Sequence, residues 1–104
     1  MEQQLLRDKT QTPVILEETL KESLAFLANL SARPAGIHTS PPIDDSLEEQ
    51  GVGSLAALSS FQEQFSAGLS GSPGPRYLGF VTGGSTPAGI AGEWLTSVID
   101  QNVA

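Results

Sequence analysis

The chain has 104 residues, a formal charge of −7, no cysteine and one histidine, His38. These totals exclude disulfide staples, thiolate metal centres and multi-histidine metal clusters. Twelve acidic residues against five basic ones also argue against a nucleic-acid surface, which needs clustered Lys and Arg.

Hydrophobic residues make up 38% of the chain, with 11 Gly and 7 Pro. Apolar content of about 45–50%, in a class that also counts Gly, is usual in globular domains. Much of this chain's share is glycine, which has no side chain to bury against a backbone-ordering cost of about 1–2 kcal/mol per residue. The chain is therefore expected to be attached to, or part of, something larger. No apolar run approaches the ~20 residues of a membrane span. The N-terminus MEQQLLRDK lacks the basic-then-apolar order of a signal peptide. The default expectation is a cytoplasmic protein with no membrane partner.

Residues 1–11 read as a polar, frayed leader. Thr12-Pro13 reads as an N-cap followed by proline at the first helical position. Leu16, Leu20, Leu24, Leu27 and Leu30 then recur at one-face helical spacing, so a helix is predicted to stop near Ala32, just before Arg33-Pro34. Residues 34–53 are loop chemistry: Pro34, Gly36, Pro41, Pro42, Gly51 and Gly53 punctuate them. Within that loop His38 reads as exposed. Asp44, Asp45, Glu48 and Glu49 lack the spacing of a calcium loop and read as solvated.

A second helix is predicted from Ser54, as N-cap, to about Ala67, with Gly68 as terminator. Its apolar stripe is Leu55, Leu58, Phe61 or Gln62, Phe65 and Leu69. Residues 70–76 cannot be helical, and Tyr77–Val81 is strand or extended loop. Thr86-Pro87 repeats the cap-plus-proline start. Ile90, Trp94, Leu95, Val98 and Ile99 give a third helix an apolar face as far as Asn102, with Trp94 expected in the core. The fold class expected is mainly α with irregular loops.

The segment YLGFVTGGSTPAGIAG, residues 77–92, runs from an apolar stretch through a glycine turn to a helix start. Nucleotide-binding folds cradle phosphate in that order, but the spacing does not fit GxGxxG. The wider block PRYLGFVTGGSTPAGIAGEWLTSVIDQN, residues 75–102, instead resembles the early segment of group II pyridoxal-phosphate decarboxylases. That family includes the glutamate, aromatic amino acid and tyrosine decarboxylases. Pro75-Arg76-Tyr77-Leu78-Gly79 resembles its His-Pro-Arg/Lys-Phe-Phe-Gly stretch, with Gly74 where the family has histidine. Thr86-Pro87-Ala88 is similar to its loop-to-helix junction, and Ala91-Gly92-Glu93-Trp94-Leu95-Thr96-Ser97 to the glutamate decarboxylase version of the helix. A looser likeness extends back through residues 53–69 and Pro41-Pro42 to residue 13.

The resemblance implies that residues 12–104 are the N-terminal helical segment of a fold-type-I α/β enzyme whose large cofactor domain lies outside this chain. It implies a segment that wraps a second subunit, packs on the remainder of its own enzyme, and helps line a pocket for an amino acid substrate. Phe80, Val81 and Thr82 are the substrate-binding residues it implies, with Tyr77 and Leu78 as packing residues. Pyridoxal phosphate would be held by the complete enzyme, because decarboxylation with it needs a lysine Schiff base and an acidic partner for the ring nitrogen. The only lysines, Lys9 and Lys21, lie outside any Ser-x-x-His-Lys setting, so no catalytic residue is expected here. The alternative reading is an independent acidic helical interaction module.

Overall fold

The computed structural model describes residues 2–34, 36, 46, 49–74 and 84–101. Among them are four α-helices: α1 (Glu2–Thr10), α2 (Thr12–Ala28), α3 (Ser54–Phe65), extended by a 3₁₀ turn at Ser66–Gly68, and α4 (Pro87–Ile99). No strand occurs among the described residues, in keeping with a mainly α chain. The Tyr77–Val81 run lies outside them.

The leader is helical rather than frayed. Glu2 stands in the first turn of α1 and Arg7 and Lys9 in its last, which complements the helix dipole at both ends. Only Gln11 separates α1 from α2. Pro13 has no N–H, and its ring crowds the carbonyl four residues earlier, that of Lys9. Thr12 Oγ1 donates to that carbonyl at 2.9 Å and to Asp8 O at 3.2 Å. Thr12 thus repairs an interrupted helix instead of capping a new one, and Gln11 in the cap position makes no side-chain cap bond.

Helix α2 ends at Ala28, four residues short of the expected stop. Asn29 Nδ2 donates to Ala25 O at 3.0 Å. Tight turns follow, with the Ala32 and Arg33 amides donating to Asn29 O at 3.1 and 3.0 Å.

Both ends of α3 are held by side chains from distant parts of the chain. Gly53 occupies its N-cap position at φ 88°, ψ 158°, a conformation open essentially to glycine alone. Glycine has no side chain to cap with, so Asp8 of α1 takes the role. Its carboxylate accepts the Ser54 N–H at 3.0 and 3.2 Å and the Ser54 hydroxyl at 2.5 Å. Ser54, expected as the cap, is instead the first helical residue. The Ser54 hydroxyl, and then its backbone N–H, hold the Asp8 carboxyl below the usual carboxylate range.

At the other end, Arg33 Nη1 donates to Ser66 O and Leu69 O, both at 2.9 Å. Its guanidinium lies over the Phe26 ring, 4.8 Å from the centroid. An acid therefore sits at the positive end of α3 and a base at its negative end. Next to the arginine, the Gly71 amide donates to Pro34 O at 2.9 Å. Gly71 is buried, and a Cβ there would meet Arg33 O at 2.9 Å, so only glycine allows so close an approach.

The face that α2 turns toward α3 is not its leucine stripe. Ile15, Glu18, Thr19, Glu22, Ser23 and Phe26 are its half-buried positions, and Leu30 in the turn beyond is half-buried too. Two polar residues tolerate that packed face because they bond within their own helix. Thr19 Oγ1 donates to Ile15 O at 2.8 Å and Ser23 Oγ to Thr19 O at 2.7 Å. From α3, Leu58 and Gln62 face them half-buried, and the tilted Phe61–Phe65 ring pair, 5.4 Å between centroids, closes one side.

No hydrophobic side chain among the described residues is fully buried. The radius of gyration is 16.4 Å, against roughly 13 Å for a compact chain of this length. The accessible surface is 8597 Å², where a compact monomer of this mass exposes about 5600 Å². The helices are tied at their ends and open along their sides.

Candidate docking groove

The open side lies between α2 and α4. Thr86 caps α4 as its sequence predicts: its extended backbone leads in, its Oγ1 accepts the Gly89 N–H at 3.1 Å, and Pro87 takes the first helical position. The helix stops at Ile99, short of Asn102, because Asp100 turns left-handed at φ 47°. Gly84, at φ 69°, brings the approach to α4 against Pro73, within 3.1 Å of its carbonyl oxygen for an added Cβ.

Leu16, Leu20, Leu24 and Leu27 of α2 and Ile90, Trp94 and Leu95 of α4 line a groove of about 820 Å³. The four leucines are 38%, 49%, 57% and 36% exposed. Trp94 is half-buried on the groove wall and not in a core, which corrects the sequence expectation. On α4 the apolar arc continues past the groove to exposed Val98 and Ile99. Glu17 is the charged residue of the lining, and Glu93 borders an adjoining depression shared with Ile90 and Trp94. Apolar walls of this kind suit binding. Among the described residues no group of three or more His, Asp or Glu could hold a metal ion.

The described residues do not fit pyridoxal phosphate by themselves. Lys9 on α1 and Lys21 on α2 are both exposed, so neither offers the enclosed, desolvated amine that an internal Schiff base requires. His38, Arg76 and the expected substrate-binding residues Phe80, Val81 and Thr82 lie outside the described residues. No helix among the described residues is long and apolar enough to cross a membrane. Sequence reasoning missed Asp8 and Arg33, whose partners stand 46, 33 and 36 residues away. Neither carries a local signature of such a role. No family model, curated protein or solved structure matches the chain.

Proposed function

We propose that this chain is a non-catalytic docking segment, the N-terminal part of a group II pyridoxal-phosphate-dependent amino acid decarboxylase. It folds against the remainder of its own enzyme and wraps a second subunit. The observation that carries the docking role is the leucine stripe of α2, left open beside the apolar arc of α4. Exposed apolar area arranged as one continuous groove belongs to a surface that is covered when the protein works. The choice of family rests on the likeness of residues 75–102 to the decarboxylase segment.

In that reading Phe80 and Val81 form part of the apolar wall of the substrate pocket, and Thr82 offers a hydroxyl to the amino acid. The cofactor is bound by the complete enzyme. The decisive experiment is to read the coding frame downstream of Ala104. Several hundred further residues containing a His-Lys pair are expected. A native stop codon there would sink the enzyme reading in favour of an independent acidic interaction module. Given the complete enzyme, Phe80→Ala should change apparent substrate affinity or preference while cofactor binding stays nearly constant.

A further inference from the structure

We propose that α1 is a releasable strap that moves as a unit about Gln11–Pro13, latched by Asp8, and that its release loosens the start of α3. This goes beyond the docking role and does not depend on the decarboxylase assignment.

The strap is held by polar contacts. Its nine residues are too few for a helix that is stable alone in water. Gln4 and Asp8, one turn apart, are its half-buried residues; the rest of α1 is exposed, Leu5 and Leu6 at 63% and 61%. Both half-buried side chains reach the segment that leads into α3. Gln4 Oε1 lies 3.2 Å from where a Cβ on Gly51 would stand, and Asp8 Oδ1 lies 3.5 Å from one on Gly53. Polar ties of this kind are exchangeable for water, so they can open at small net cost.

The junction with α2 supplies the hinge. Pro13 removes one rung of the helical ladder, and the Thr12 hydroxyl replaces it on Asp8 O and Lys9 O. Gln11 leaves the helical conformation at φ −89°, ψ 6°.

The latch works in both directions because α3 does not cap itself. Gly53 at φ 88° has no side chain, and any residue with one would be strained there. Asp8 instead accepts the Ser54 N–H and hydroxyl, just ahead of the first rung, where the Ala57 amide donates to Gly53 O at 3.0 Å. The bonds that dock α1 are thus the bonds that start α3. Such a coupling is reciprocal: whatever draws α1 away must loosen α3, and whatever loosens that end of α3 must free α1.

Residue-resolved hydrogen exchange on the full chain tests this from both sides. In Asp8→Ala the amides of Leu6 and Arg7 and those of Ser54 and Ala57 should accelerate together, by about tenfold, while Leu20 to Leu24 in α2 keep the parent rate. Leu6→Gly perturbs α1 at an exposed position through helix propensity, and should accelerate Ser54 and Ala57 roughly fivefold. Leu6→Ala removes the same side chain but keeps the propensity, and should leave both amides unchanged. Ser54 and Ala57 at the parent rate in Leu6→Gly would overturn the coupling. Acceleration in Asp8→Ala confined to α3, or absent altogether, would overturn the latch. Equal acceleration through α2 would mean one continuous helix without a hinge, and would overturn the strap as a unit.

Discussion

Replacing Arg33 with methionine tests whether the C-terminal end of α3 is held by this side chain. Methionine keeps an apolar stem against the Phe26 ring but supplies no donor. Two hydrogen bonds of 2.9 Å, to Ser66 O and Leu69 O, are lost together with the cation–ring contact. A hydrogen bond from a charged group contributes about 1.5–3 kcal/mol, and a cation over a ring about 0.5–1 kcal/mol at an exposed site. Both carbonyls share one nitrogen and Arg33 is half-buried, so the low end applies, about 2 kcal/mol in all. A chain without a buried core need not melt cooperatively, so the assay should be local. The Gly71 amide, buried and bonded to Pro34 O, is the reporter, and its hydrogen exchange should accelerate roughly 30-fold in Arg33→Met. Arg33→Lys keeps the charge without the planar fork and should fall between the two. If Gly71 exchanges at the parent rate in Arg33→Met, the arginine is a bystander and the packing of residues 69–74 must be held by the backbone alone.

Three other outcomes follow from the same geometry. Because Ser54 lowers the folded-state pKa of Asp8 below 3.8, the unfolded chain binds more protons between the two values. The clasp is therefore at full strength above pH 3.8 and is lost as pH falls through the lowered value; the Ser54 amide resonance should titrate below 3.8, and Asp8→Asn should abolish that step. Trp94→Ala in the free chain should cost less than about 1 kcal/mol, since Trp94 is only half-buried, where loss of a core tryptophan costs about 3–5 kcal/mol; hydrogen exchange of the α4 amides measures the difference. Pyridoxal phosphate added to the chain should give no stable imine band, because Lys9 and Lys21 are exposed; a persistent band removed by substituting either lysine would contradict this.

The start of α4 was legible because everything that makes it is local: Thr86 caps, Pro87 fixes the first turn, and Gly89 supplies the bonded amide. At Thr12-Pro13 the same pair of residues means something else. A Thr-Pro step has one local signature whether it opens a helix or interrupts one, and here Thr12 serves the carbonyl that Pro13 leaves without a donor. What separates the two cases is the polar stretch before it, which is itself helical and is tied down by Asp8 on Ser54, 46 residues on. The leucine stripe was equally plain in the sequence. Its outward direction was not, since hydrophobic periodicity alone points such a stripe inward. Thr19 and Ser23 reverse that choice by satisfying their hydroxyls on the carbonyls of Ile15 and Thr19, which frees the other face of α2 to pack on α3. Phe80, Val81 and Thr82, the substrate-binding residues implied by resemblance, lie outside the described residues.

The exposure of the stripe also sets how much of the molecule a partner must cover. Full burial of a leucine contributes about 1.5–3 kcal/mol, and the four on α2 are between a third and three-fifths exposed. They retain about 3–5 kcal/mol for a partner, whereas association itself costs roughly 4–15 kcal/mol. The α2 stripe alone therefore does no more than match the low end of that cost. Ile90, Leu95, Val98 and Ile99 on α4, 37–62% exposed, add a similar amount, and the two helices together clearly exceed the low end of that cost. The expected outcome is symmetrical: Ile90→Ser with Leu95→Ser should weaken partner binding by about the same factor as Leu20→Ser with Leu24→Ser, each by tenfold or more. Binding measured by Trp94 fluorescence or calorimetry that drops for the α2 pair and not for the α4 pair would mean that α4 is only a wall. The extra affinity would then have to come from contacts outside these two helices.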